Sequence, residues 1–232
     1  MENITVKYCF VLPDGSREVF DLEIDGATLD LLGAVPESPP PWTNLDFHQC
    51  PNCPLTADTH PQCPLSMILV PIVEQFDAFL SYEEIHLEAK VQNRLVSQDT
   101  TVQKGVSSLM GLLMATSGCP HTVFFKPMAR FHLPLARVDE TVCRTASLYL
   151  LAQYFRQKEA LDTDFDLKGL ARIYHEMHVV NSAVAKRLRA ASETDSSVNA
   201  IVLLDMFAGY LPDVIDHSLE KFQYLFAPFL RD

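Results

Sequence analysis

The chain has 232 residues, 48% of them hydrophobic and 9% aromatic, with 18 Lys and Arg against 30 Asp and Glu and a formal charge of −12. That apolar content is enough for a core and excludes global disorder, and the length suits one large domain or two small ones. The acidic balance argues against a nucleic-acid partner, which requires a basic face, and against an anionic membrane surface. No apolar run approaches the ~20 residues needed to span a bilayer; the longest lie around Met67–Val73 and Leu109–Ala115. The opening MENITVKYCF lacks the basic and apolar blocks of a leader. The expectation is a soluble, cytoplasmic protein.

In chain order, Thr5–Leu12 and Glu18–Ile24 alternate around the turn Pro13-Asp14-Gly15 and predict a β-hairpin. Thr28–Leu32 adds a short third segment. The proline-rich run 36–41 reads as a linker, and 42–65 is a loop dense in Pro, Cys, His and Asn without hydrophobic period. So long a structureless stretch needs something else to order it. Pro71–Leu80 suits a short helix with Pro71 in its first turn. Glu84–Val91 and Arg94–Val102 alternate around Gln92-Asn93, a second hairpin.

Val106, Leu109, Met110, Leu113 and Met114 share one face of a helix over 106–117, closed by Gly118 and Pro120. Val123–Leu135 reads as another strand, with Arg130 and His132 on one face. Beyond it the chain is helical. Asp139 is expected to cap a helix to about Lys158. Asp166 is expected to cap a longer one with Leu167, Leu170, Tyr174, Met177, Val184 and Leu188 inward. Val198–Ala208 is apolar nearly all round and predicts a buried helix closed by Gly209 and Pro212, before a last helix over 213–226.

Four of the six cysteines precede proline: Cys50, Cys53, Cys63 and Cys119. Proline fixes the backbone beside the sulfur, which helps a thiolate hold one direction. These four fall in the loop or directly after a helix end, whereas Cys9 and Cys143 fall inside a strand and a helix. Cys50-x-x-Cys53, a third thiol after nine intervening residues and a distant fourth predict a four-thiolate metal site that would also order the loop. His48, His60 and His121 are interleaved and stand as reserve ligands for a mixed Cys/His site. Zn²⁺ and a [4Fe–4S] cluster both fit: Pro54 replaces the glycine of a zinc-ribbon knuckle, and Cys-Pro steps occur at cluster ligands, while zinc is commoner in cytosolic sites of this kind. Disulfides and unliganded buried thiols are the competing readings.

Elsewhere, His175 and His178 sit at i and i+3, which is not the zinc-protease spacing. With Asp205 they offer a second site or, more simply, an interhelical hydrogen bond. Lys126, Arg130, His132 and Arg137 form a basic cluster that could receive a small anion or pair with surface carboxylates. No Gly-rich phosphate loop, nucleophile elbow or kinase signature is present.

The strings DFHQCPNCPL, HPQCPL, SSLMGLLMATSGCP, KPMARFHLPLA and SLYLLAQYF, with the DGSREVFDL hairpin, resemble an uncharacterised bacterial protein family, a domain of unknown function. The resemblance spans most of the chain. It implies a bacterial cytosolic protein and carries no activity or catalytic residue with it.

The fold class expected is α+β, a single domain over 1–232. A small antiparallel β part (1–40, then 84–135 within a mixed region 66–135) packs on a helical half, 138–230. The loop 42–65 carries the metal. The function expected is a non-enzymatic regulatory or interaction factor with a structural or sensory site. The alternatives are an iron–sulfur protein in electron transfer or redox catalysis, and a metal-free helical interaction module. A protein partner or a small anion fits either, and the oligomeric state is open.

Overall fold

The computed structural model describes residues 1–33, 36, 38–217 and 219–231. Two hairpins form as the alternation predicts. Strands β1 (Ile4–Val11) and β2 (Arg17–Ile24) pair antiparallel, and so do β4 (Glu84–Val91) and β5 (Arg94–Thr101). The first turn is built by Asp14, whose carboxylate accepts the Ser16 N–H at 2.9 Å, and by Gly15 at φ +85°, a conformation glycine adopts without strain. With the two-residue β3 (Leu31–Leu32) the sheet order is β3-β2-β1-β4-β5, antiparallel throughout. Strand β1 is its centre, with Val6 opposite both Leu22 and Val91.

Period two puts Ile4, Val6, Tyr8 and Phe10 on the buried face of β1. That face receives helices α1 (Pro64–Phe76) and α2 (Val102–Ala115). Phe76 meets Phe10 edge-on at 4.7 Å between centroids and stacks on Phe20 at 5.8 Å. Helix α2 comes so near the sheet that a Cβ on Gly105 would lie 2.8 Å from the Phe10 ring.

Helix α1 starts earlier than expected. Pro64, not Pro71, occupies its first turn, and Pro71 lies inside the helix. Burial of Leu65, Leu69, Ile72, Val73 and Phe76 along one stripe outweighs the hydrogen bond that Pro71 removes. The expected strand over 123–135 is not formed. Residues Val123–Phe125 make a 3-10 turn and Lys126–Arg130 the short helix α3, with Pro127 in its first turn where a missing N–H is harmless. The alternation there was too short to discriminate a strand from a turn.

The C-terminal half holds α4 (Val138–Lys158), α5 (Lys168–Ala191) and α6 (Ser196–His217), then a 3-10 segment Leu219–Phe229. Two expected caps are displaced. Asp139 lies in the first turn of α4 rather than capping it; Glu140 accepts the Arg137 N–H at 2.7 Å instead. At α5 the N-cap position falls on Leu167, not Asp166, and the first-turn Gly169 N–H is met by the Asp164 carboxylate, which also accepts the Tyr149 hydroxyl at 2.8 Å. The inward face predicted for α5 is buried as expected.

Helix α6 runs through Gly209 and Pro212 instead of ending at them, because Leu211 and Val214 beyond are buried and keep the helix on the core. The last helix predicted over 213–226 is therefore divided between α6 and the 3-10 segment. Ser196–Ile215 is long and apolar enough to cross a bilayer, which the sequence reading did not anticipate. Its most extensive packing is against α5 and α2.

Candidate metal centre

The cysteine loop is closed at a narrow neck. Asn44 and Gln62 form an isolated antiparallel bridge, the Leu45 N–H donates to the Pro61 carbonyl at 2.9 Å, and the Cys63 N–H to the Thr43 carbonyl at 2.8 Å. The neck is clamped by Arg187 of α5, 2% exposed. Its Nη1 donates to the carbonyls of Trp42 at 2.9 Å and Asn44 at 2.7 Å, and its Nη2 to that of Leu45 at 2.8 Å. A planar fork meets three loop carbonyls, two of which, those of Trp42 and Leu45, would otherwise be buried without a donor.

Within the loop, Cys50 and Cys53 flank a tight turn in which the Cys53 N–H donates to the Cys50 carbonyl at 3.0 Å. Asn52 between them is held on both sides. Its Nδ2 donates to the carboxylate and, at 3.3 Å, to the carbonyl of Glu176 on α5, while its own carbonyl lies 2.8 Å from His121 Nε2. Cys63 is the residue before α1, extended at φ −73° and ψ 116° as a residue preceding proline must be. Cys119 follows Gly118, which leaves α2 at φ +78°.

Three separate chain segments thus bring these four thiols into one electrostatic neighbourhood. All four are half-buried and free, and Cys50, Cys63 and Cys119 pack against the hydrophobic core. Burial pushes the Cys50 thiol up to about 12; negative charge on Cys63, Cys119 and Cys53 adds to the rise, and Arg187 opposes it. Burial likewise raises Cys119 to about 11, with Cys63 and Cys53 contributing; the backbone N–H groups of His121 and Thr122 favour its thiolate and pull the other way. Donors two and three residues beyond a cysteine are well placed to stabilise a thiolate ligand. As they stand, no three Cys, His, Asp or Glu among the described residues are gathered into a metal-holding group.

Two of the reserve histidines lie at the surface, and the third adjoins the thiols. His48 (φ 48°) and His60 are exposed, the latter with Nδ1 3.0 Å from Thr59 Oγ1. His121 has its Nε2 committed to the Cys50–Cys53 turn. Cys9 is buried in β1 and Cys143 is half-buried on α4, away from the loop's elements. His178 Nδ1 lies 2.8 Å from Asp205 Oδ1, the interhelical bond expected as the simpler reading, and His175 is exposed beside it.

The expected basic cluster is dispersed. Lys126 pairs with Asp30 at 2.6 Å and Arg137 with Asp139 at 2.9 Å. His132 is turned inward to the Tyr8 hydroxyl at 2.6 Å. Burial, with Arg144 nearby, lowers it to about 3, so it is neutral. Arg187, Asn52 and Glu176 went unnoticed in the sequence. Arg187 alone had a signal: a cation between Val184 and Leu188 on a face otherwise apolar.

A family model described as a domain of unknown function (DUF6901) matches residues 6–227. No curated protein and no solved structure matches the chain.

Proposed function

The chain belongs to the DUF6901 family, a domain of unknown function, and we propose that in it Cys50, Cys53, Cys63 and Cys119 hold one metal ion or cluster of structural or sensory role. What supports this reading is that Cys63, Cys119 and Cys53, from three chain segments, all lie near enough to the half-buried Cys50 to act on it by charge. Burial holds the Cys50 and Cys119 thiols in the neutral form, so binding them as thiolates expels protons, and affinity rises with pH. Four thiolates leave a tetrahedral ion no open position for a substrate, which is the reason for a non-enzymatic factor rather than a hydrolytic centre. Thiolate ligands also suit a reducing compartment, the cytoplasm.

A second reading is favoured by the all-sulfur donor set and the Cys-Pro steps: a [4Fe–4S] cluster serving electron transfer. Anaerobic purification, metal analysis and a visible spectrum decide between them. Colourless protein with one zinc per chain supports the structural or sensory site. Brown protein with iron and acid-labile sulfide supports the cluster. Protein that takes up neither metal on reconstitution overturns both and leaves a metal-free helical module. Retention of full occupancy in Cys119→Ser removes Cys119 from the ligand set and brings His121 or His60 forward.

A further inference from the structure

Away from the cysteines, a cavity of about 640 Å³ lies between α2, α5, α6 and the segment 122–144. Ligand pockets commonly run from roughly 300 to 1,000 Å³. Its walls are mostly apolar: Leu112 and Met114 of α2, Phe125 before α3, Met177 of α5, Leu204 and Phe207 of α6. Asn181 and Arg144 in this lining keep bonding capacity that the protein does not use.

Asn181 of α5 is 2% exposed, and its Oδ1 has no hydrogen-bond partner. A buried amide without a partner is costly, and native interiors seldom keep one unless a ligand or water meets it. Arg144 of α4 is the second. Its Nη2 donates to the carbonyls of Met128 at 3.2 Å and Phe131 at 2.6 Å. Among the described residues its Nε and Nη1 have no acceptor, and no carboxylate lies within 4.0 Å of it. Glu140, one turn earlier, is felt as a charge but forms no bond. Of the other lining residues, Ser108, His132 and Tyr174 are satisfied, while Lys104 stands exposed at the rim. Tyr8 hydroxyl joins Ser108 Oγ at 2.9 Å and His132 Nε2 at 2.6 Å, and Tyr174 hydroxyl donates to Thr145 at 3.1 Å.

We propose that this cavity binds an amphipathic carboxylate: the acid group on the free edge of Arg144, the apolar body along α2 and α6, and a hydroxyl or amide of that body on Asn181. An unpaired guanidinium in an apolar cleft selects an anion, and a planar carboxylate matches its fork. Apolar walls select a hydrocarbon chain, and the orphan amide discriminates for a second polar group. No cysteine is in the cavity lining, so the site stands whether or not a metal binds the thiols.

Isothermal titration with three probes of one chain length tests this: 3-hydroxydecanoate, decanoate and 1-decanol. Saturable one-to-one binding of 3-hydroxydecanoate is expected, weaker for decanoate and weakest for decanol. Arg144→Gln is expected to lose about 10- to 100-fold for both acids, the scale of a charge-assisted hydrogen bond, and little for decanol. Asn181→Leu is expected to remove the preference for the hydroxy acid over decanoate while raising the unliganded melting temperature. Since Arg144→Gln also leaves two carbonyls without a donor, Leu204→Trp serves as a second variant. It fills the cavity without touching either polar group and is expected to abolish binding of all three probes in a folded protein. Absence of saturable binding in the folded wild type overturns the proposal. So does binding unchanged by Leu204→Trp, or a loss in Arg144→Gln that is equal for acids and alcohol.

Discussion

The sheet with α1 and α2 and the loop of residues 44–62 lie side by side, yet they are held by opposite means. In the first, Phe10, Phe20 and Phe76 stack in a dry interior, and nearly every inward residue is apolar. In the second, most residues are exposed, and order comes from backbone turns and two polar anchors on α5, Arg187 and Glu176. Burial of apolar area is additive and forgiving of detail. Anchoring by a few donors concentrates the stability of a whole segment in one or two side chains. The contrast predicts global losses from the first region and local ones from the second.

The largest effect is expected from Phe76→Ala, which opens a cavity against both Phe10 and Phe20 and costs about 3–5 kcal/mol in urea unfolding. Arg187→Met keeps bulk but strips the buried Trp42 and Leu45 carbonyls of their donor; a loss of about 2–4 kcal/mol is expected. Limited proteolysis should find its new cleavages within 44–62, whereas Phe76→Ala should show none confined there. Equal protection of that loop in both variants would break the comparison.

A third effect depends on pH. His132 is depressed to about 3 in the folded chain, against ~6.5 when unfolded. Between those values the unfolded state takes up the proton and the folded state does not. Its contribution is therefore complete above pH 6.5 and lost as pH falls toward 3, at up to about 1.4 kcal/mol per pH unit. His132→Gln, which can still meet the Tyr8 hydroxyl, should flatten the stability profile between pH 6 and 4.5, read by denaturation at each pH. The smallest effect is expected from Asp14→Ala in the exposed first turn, a slight drop in melting temperature read by thermal unfolding.

What the sequence disclosed follows the same division. Both hairpins, the class α+β and the inner face of α5 were legible, because period two and period 3.6 report burial directly. Helix α1 and the length of α6 were misplaced because Pro71, Gly209 and Pro212 carry strong local signals that packing overrode. The segment 123–135 was misread because a handful of alternating residues is not a period. The four thiols were separable from Cys9 and Cys143 by the prolines that follow them. The anchors of the loop were not legible: Asn52 meets Glu176, and Arg187 meets Trp42, only after the chain has folded across more than half its length. The cavity was invisible for the same reason, since its walls come from five helices whose inward residues look like ordinary core.

The position of β1 at the centre of the sheet bears on how the chain reaches this state. Its hairpin with β2 closes locally, but its other edge waits for β4, with Val6 pairing to Val91. Everything between, including the cysteine loop and α1, must be looped out before that edge is covered. Non-local pairing of this kind slows folding relative to helical packing between sequence neighbours such as α5 and α6. During synthesis the N-terminal hairpin emerges with an unsatisfied strand edge next to Ile4, Val6, Tyr8 and Phe10, a template for pairing with other chains. Rescue of soluble yield by slower synthesis or lower temperature is therefore expected to depend on β4 arriving in time, and a chain truncated before Glu84 is expected to aggregate.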